Sequence, residues 1–453
     1  MKTRRLTKKE MWIFAIGQLG WSILGGIINT WLVTFYLPTK TSVEQGAKFY
    51  IPTGLVIFGV LTVLGLITFI CRIFDAVTDP WIASLSDRSK NPKGRRIPFM
   101  QKAAIPFALI TVLVFFAPVE AISTINIVWV LVFLILFYLF MTMYCTPYNA
   151  LISEFGKTQE DRMYISTAIS LTFFFGTLIA YLPFVFASFL QSAVSYAWSY
   201  RILFIVLAAV ALVCMLIPCM KLKEKDFVDA QPSESNAMKS LAKTFRNRNF
   251  RRFAASDIAY WIGLTLFQTG LPFFVKVSMQ LDEFYTTVFL GGMTVLSACF
   301  YPFVSKMVSK HGKKKLVIIG FFGLAVAYVI TALIGVVPGL TGIVPGVLIV
   351  IVAAFPMALL GIIPQAIVAD VAEQDSVVTG EKREGMFFAA RTFAFKMGQA
   401  LALVVFTSVT VAETAASYRQ TALIATITCL IGALLFFLYN EKMILGKIEQ
   451  LKK

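Results

Sequence analysis

Histidine is almost missing from this chain: 453 residues contain one, His311, in a predicted loop. That excludes a His-based catalytic triad and a multi-His metal site. No GxxxxGK[ST] sequence occurs, so the chain itself carries no P-loop for ATP hydrolysis. Charge is scarce at 14%, against ~25% in soluble domains. The six cysteines (Cys71, Cys145, Cys214, Cys219, Cys299 and Cys429) all fall in apolar stretches. They form no extracellular framework, and we expect reduced packing residues. A sizeable hydrophilic region is lacking too, which argues against a signalling sensor or scaffold.

Apolar residues fill the space left by charge, at 58% of the chain with 42 Phe, against roughly 45–50% in soluble proteins. The runs 103–118 and 125–143 contain no charge at all. A helix needs ~20 apolar residues to cross the hydrocarbon, and such runs recur throughout. The sequence therefore predicts an all-α membrane protein of twelve transmembrane helices. They are placed at about 11–38, 52–83, 97–119, 123–152, 163–190, 197–221, 251–279, 283–309, 315–336, 343–370, 385–410 and 417–440. The basic start MKTRRLTKKEMW, followed by a long apolar segment, reads as a first spanning helix, not a signal peptide. The polar stretch 222–250, with KEKDFVDAQPSESNAMK, divides the chain into a six-helix bundle at 1–221, a linker, and a second bundle at 251–453.

A net charge of +17 could suggest nucleic acid, but the basic residues sit in short segments between spans. That placement fits topogenic charge beside anionic lipid and excludes a nucleic-acid-binding domain. Of the 41 Lys and Arg, Lys40, Lys48, Arg201, Lys276 and Arg419 fall in connections on one side, and Arg72, Arg391 and Lys396 inside spans. All the others fall on the opposite side, which predicts cytoplasmic termini and a cytoplasmic linker. The halves also echo each other: PWIASLSDRSKNPKGRR after the second helix against PFVSKMVSKHGKKK after the eighth, and PYNALISE in the fourth against PQAIVAD in the tenth. A parallel repeat leaves that trace.

An ionisable side chain in mid-bilayer costs ~2.5–3.5 kcal/mol on insertion scales, so it needs a partner or a function. The second helix reads CRIFDAVTDPW, with Arg72, Asp75 and Asp79 at offsets that place them on one face. Thr78 stands beside them, and Pro80 loosens the helix just beyond. This face can hold Na⁺ or a proton, or it can be a structural Arg–Asp pair. One Asp satisfies Arg72, so the second favours a cation site. The eleventh helix, RTFAFKMGQAL, carries Arg391, Thr392 and Lys396, whose cations can pair with those acids or with substrate. Asp257, near Arg251 and Arg252 at a helix start, reads as an ordinary helix-end acid. Tyr144, Tyr148 and Asn149, with Tyr260 and Trp261, supply rings and an amide suited to a sugar, though each ring also suits packing.

RIFDAVTDPWIASLSDRS with KGRR, PYNALISE, and DVAEQDSVVTGEKREGMFFAARTFAFKMGQAL resemble the glycoside-pentoside-hexuronide:cation symporters of the major facilitator superfamily. The resemblance spans both halves. It implies alternating access and symport of a sugar or glycoside with Na⁺, H⁺ or Li⁺, without a cofactor, in the cell inner membrane. Carried over by position, Asp75 and Asp79 are the cation carboxylates, with Thr78 and Thr142 adding oxygens. Arg72 and Lys396 are their charge partners, and Thr392 falls on a sugar-pocket position. The family's sugar-binding acids of helices one and four fall here at Leu19 and Cys145, and its sugar-facing Arg of helix five at Ser170. The cation set is retained and the galactoside clamp is not, so a lipid or drug-like amphiphile is the alternative cargo. We expect a monomer in contact with membrane lipids. Asp87, Arg88, Arg95 and Arg96 are expected to form cytoplasmic gating contacts with acids such as Glu154, Asp370 and Glu384.

Overall fold

The computed structural model describes residues 4–54, 61–87, 89, 91–156, 159–228, 237–379 and 384–452. Almost every described residue outside short connections is helical. Helix starts follow local chemistry. Thr7 caps Lys8–Tyr36 in a reciprocal box with Glu10, and Thr414 with Ser417 does the same for Ala415–Phe437. Prolines lie inside several helices, among them Pro80, Pro147, Pro218 and Pro364. Membrane helices tolerate them because neighbouring helices and side chains satisfy the freed carbonyls. After Pro272, the helix Arg248–Phe273 ends in a π-helical turn, Phe274–Ser278.

Among the described residues, ten helices are long and apolar enough to cross a membrane. Two more fall short for visible reasons. Ile97–Leu113 is apolar but has 17 residues, and Val63–Asp87 carries Arg72, Asp75 and Asp79 along its middle. Large apolar side chains such as Ile105, Val213, Ile351 and Leu434 are more than half exposed, a surface suited to lipid and not to water.

The chain separates into two compact units, residues 1–53 with 77–236, and residues 54–76 with 237–453. In the first, Lys8–Tyr36 packs on Gln159–Ala180 and Tyr196–Lys221, and Ile97–Leu113 packs on Thr124–Phe155 and Tyr196–Lys221. In the second, Arg248–Phe273 packs on Glu384–Val409 and Ala415–Phe437, and Lys313–Ala332 packs on Ile343–Thr379 and Ala415–Phe437. The helix pairing of one unit is thus repeated, six helices on, in the other.

Three boundaries differ from the sequence expectation. The second helix is described from Val63, not 52, and extends to Asp87. Ile343–Thr379 continues nine residues past the expected end, through VAEQDSVVT, where Ala372, Glu373 and Gln374 favour the helix. The linker is not wholly irregular: it contains the helices Glu224–Phe227 and Ala237–Arg246, and Arg248 already opens the next long helix. Residues 54–76 group with the second unit, whereas the sequence reading put them in the first. Gly65 explains part of this, because a Cβ there would collide with Thr407 Oγ1 and touch Val404 Cα at 3.5 Å. The missing Cβ leaves room for this approach to Glu384–Val409.

Candidate functional site

The helix Val63–Asp87 carries the charged face predicted from its spacing. Arg72 and Asp75 are buried, at 5% and 0% exposure. In the second unit, Lys396 Nζ on Glu384–Val409 lies 2.9 Å from Asp75 Oδ2, and Arg72 Nη1 stands 4.0 Å from the same oxygen. Moving such ions out of water costs several kcal/mol apiece, so a pair this deep persists only through close mutual contact. Lys396 therefore meets an acid of the second helix, one of the two roles open to it in the sequence.

One turn further, Asp79 belongs to the first unit and is half-buried. There it faces Thr124–Phe155, where Thr142 Oγ1 donates to Asp79 Oδ1 at 3.2 Å and Thr146 Oγ1 donates to the same oxygen at 3.4 Å. Thr142 was expected from the family pattern. Thr146 was missed, although its i, i+4 spacing from Thr142 puts both hydroxyls on one face. Thr78 is buried beside them in sequence. A carboxylate and two hydroxyl oxygens in apolar surroundings form a hard-oxygen donor set, the chemistry that Na⁺ or a shared proton requires.

Arg391 corrects the sequence reading. It does not join the acids of the second helix: its Nε and Nη2 donate to Asp257 at 2.9 and 3.3 Å in a buried fork. Asp257 is accordingly no surface helix-end acid but the partner of a guanidinium. Close by in the second unit, the half-buried Trp261 ring lies 4.8 Å from the Phe395 ring at a tilt of 31° and meets buried Tyr260 edge-on. Thr392 Oγ1 donates within its own helix to the Phe388 carbonyl.

Tyr144 and Tyr148 also depart from expectation. Both are fully buried. Tyr144 donates to the Met215 carbonyl at 3.0 Å, and Tyr148 donates to the Phe14 carbonyl at 2.9 Å while stacking on the Phe14 ring. These rings tie helices of the first unit together, and their hydroxyls are occupied. Asn149, next on the same helix, is exposed, and Cys145 is half-buried.

Of the acids expected in cytoplasmic contacts, Glu154 and Asp370 each meet basic side chains of their own unit. Arg95 and Arg96 both reach Glu154 Oε1, at 2.8 and 2.7 Å. Lys313 pairs with Asp370. Arg88 lies outside the described residues, as do the side chains of Asp87 and Glu384. A further carboxylate, unforeseen in the sequence, sits at each corner. Glu224 accepts the backbone N–H groups of Arg95, Arg96 and Ile97 at 2.8–2.9 Å. Glu441 accepts those of Lys313 and Lys314 at 2.8 and 2.9 Å. Each corner turns on a glycine with positive φ, Gly94 at 131° and Gly312 at 78°. A Cβ on Gly94 would collide with the Glu224 side chain, and one on Gly312 would lie 3.1 Å from Glu441.

A sequence profile of the family described as MFS/sugar transport protein matches residues 13–449. An uncharacterized symporter, YjmB of Bacillus subtilis (strain 168), is 24% identical over 406 residues, 88% of this chain and 82% of its own length. A putative sulfoquinovose importer of Escherichia coli (strain K12) is 24% identical over 416 residues, 88% of this chain and 81% of its own. Among solved structures, the nucleoside transporter NupG superposes with a TM-score of 0.65 at 13% identity, covering 96% of this chain and all of that one.

Proposed function

This chain belongs to the MFS/sugar transport protein family, and from that premise we propose that it is a cation-coupled symporter of a sugar or glycoside working by alternating access. It is a transporter and not an enzyme. In this reading, Val63–Asp87 and Ile97–Leu113 also cross the membrane, giving twelve spans as two six-helix bundles with both termini cytoplasmic. The host membrane is the cell inner membrane.

One observation carries the proposal: two carboxylates a single turn apart on an apolar helix meet different partners. Asp75 is held by an ammonium, and Asp79 by two threonine hydroxyls. Asp79 with Thr142, Thr146 and Thr78 holds the coupling ion, Na⁺ or H⁺. A positive charge arriving one turn from Asp75 repels Lys396 and Arg72 and so weakens their hold on it. Loosening that pair frees the first half of the helix from Glu384–Val409, so ion occupancy and helix packing become linked. Trp261 presents an aromatic face to the cargo, with Thr392 of the same unit as a further contact. Arg391 acts through Asp257 by fixing the helix that carries Trp261.

The test is uptake into proteoliposomes, preceded by a thermal-shift screen of purified protein against sugars with and without Na⁺. An imposed Na⁺ or proton gradient should drive accumulation of whichever sugar stabilises the protein, and Asp79→Asn should abolish that accumulation. Undiminished uphill uptake by Asp79→Asn would overturn the reading.

A further inference from the structure

Three arginines at the start of the helix Arg248–Phe273 are not used by any part of this mechanism. Arg248, Arg251 and Arg252 stand at offsets of three and four, on one helical face with Ala255 one turn further. Together with Leu435 and Leu438, from the end of Ala415–Phe437 and just beyond it, they line an open cavity of about 300 Å³. Arg248 and Arg251 are exposed, Arg252 is half-buried, and Leu438 is 56% exposed.

Among the described residues no carboxylate pairs with these guanidinium groups. The acids of the adjoining segments are committed elsewhere: Asp257 to Arg391, and Glu441 to the backbone of Lys313 and Lys314. Lys314 Nζ, outside the cavity lining, donates to the Phe437 carbonyl at 2.7 Å at the end of Ala415–Phe437. Three backbone donors of the helix start are also occupied, since Asn247 accepts from Asn249 and Phe250 with Oδ1 and from Arg251 with its carbonyl. An anion here is therefore bound chiefly by side chains. Like charges at this spacing repel one another, so the cluster gains stability from a bound anion. The rest of the lining, Ala255, Leu435 and Leu438, is apolar, which a soluble anion does not use and an acyl chain does. Both helices are among those apolar enough to span a membrane, and the cavity lies at their ends, the part of a spanning helix that meets lipid headgroups.

We infer that Arg248, Arg251 and Arg252 form a site for one anionic phospholipid, its phosphate on the guanidinium groups and its acyl chains along Leu435 and Leu438. The inference rests on membrane placement and not on the carried solute, so it stands or fails separately from sugar symport.

The experiment compares the full-length protein in phosphatidylcholine vesicles with and without added phosphatidylglycerol. Thermal unfolding gives one readout, and native mass spectrometry of lipid retained after extraction gives the other. The wild-type protein should keep one phosphatidylglycerol and unfold at higher temperature when it is present. The triple variant Arg248→Gln, Arg251→Gln, Arg252→Gln should lose that lipid, with affinity falling on the order of a hundredfold. Removing equal charge at Lys221→Gln, Lys223→Gln, Lys225→Gln should leave retention unchanged. If the triple variant does not fold, Arg251→Gln alone should weaken retention about fivefold. Wild-type retention by either arginine variant overturns the proposal. So does inorganic phosphate in pure phosphatidylcholine giving the same stabilisation as phosphatidylglycerol, because the cavity would then read a free anion and not a lipid.

Discussion

In the first unit, Glu224 receives three backbone N–H groups beside two guanidinium groups that share Glu154; in the second, Glu441 receives two beside a single lysine on Asp370. The plan of both corners is the same: a positive-φ glycine, a basic helix start, an acid on the next helix, and a carboxylate from the segment that follows the unit's last long helix. The interiors share no such plan. Asp79 of the first unit meets hydroxyls, while Asp75 and Asp257 of the second meet an ammonium and a guanidinium. A duplicated scaffold has kept its corners and diversified its interior, with a carboxylate among hydroxyls in one unit and buried ion pairs in the other.

The largest expected effect tests that division. Asp79→Asn should eliminate cation-driven accumulation in vesicles yet shift thermal unfolding by less than about 1 kcal/mol, because a half-buried amide still accepts from both threonines. If Asp79→Asn unfolds the protein instead, the two interiors do not differ in kind. Next, Lys396→Met should destabilise by about 3–5 kcal/mol by stranding Asp75 in the interior. Adding Asp75→Asn should recover most of that loss in the same unfolding assay. A double variant no more stable than the single would show that the ion pair is not what holds these helices.

The corners should differ in degree only. Glu224→Ala leaves three donors exposed and should cost about 2 kcal/mol, and Glu441→Ala leaves two and should cost about 1 kcal/mol. Hydrogen exchange at 95–97 and at 313–314 would rank them, and equal acceleration would remove the distinction.

The smallest effect lies at the surface of the first unit, where Lys48 Nζ meets Glu120 at 2.6 Å with both side chains exposed. Hydrogen bonding to Lys48 holds the Glu120 carboxyl below its ordinary range. A depressed carboxyl contributes stability above its unfolded-state pKa of about 4.3 and loses it as pH falls through the folded-state value. Glu120→Gln should flatten that slight acid sensitivity, and salt should do the same.

Much of this could be read from the chain, because apolar length and charge spacing are local properties. The one-sided face of Arg72, Asp75 and Asp79 follows from helical periodicity alone, as does the row of apolar helices. The pairing of Arg391 with Asp257 could not be read: it joins helices distant in sequence and depends on which faces pack. Tyr144 and Tyr148 misled for the same reason, since their partners are backbone carbonyls of other helices, and a carbonyl leaves no mark in the sequence. Thr146 was readable in principle from its spacing to Thr142. Glu224 and Glu441 were not, because a carboxylate in a polar segment resembles any solvated charge until the glycine it fills is seen beside it.

The contact between Asp75 and Lys396 also sets an order of events in synthesis. Asp75 leaves the ribosome long before Lys396 exists; at ~5–20 residues per second the interval is roughly 15–60 s. Throughout that time a carboxylate destined for complete burial has Arg72, three residues away on its own helix, as a companion it brings with it. Arg72 thus acts as an interim counterion, carrying the acid through insertion until the far end of the chain arrives to take its share.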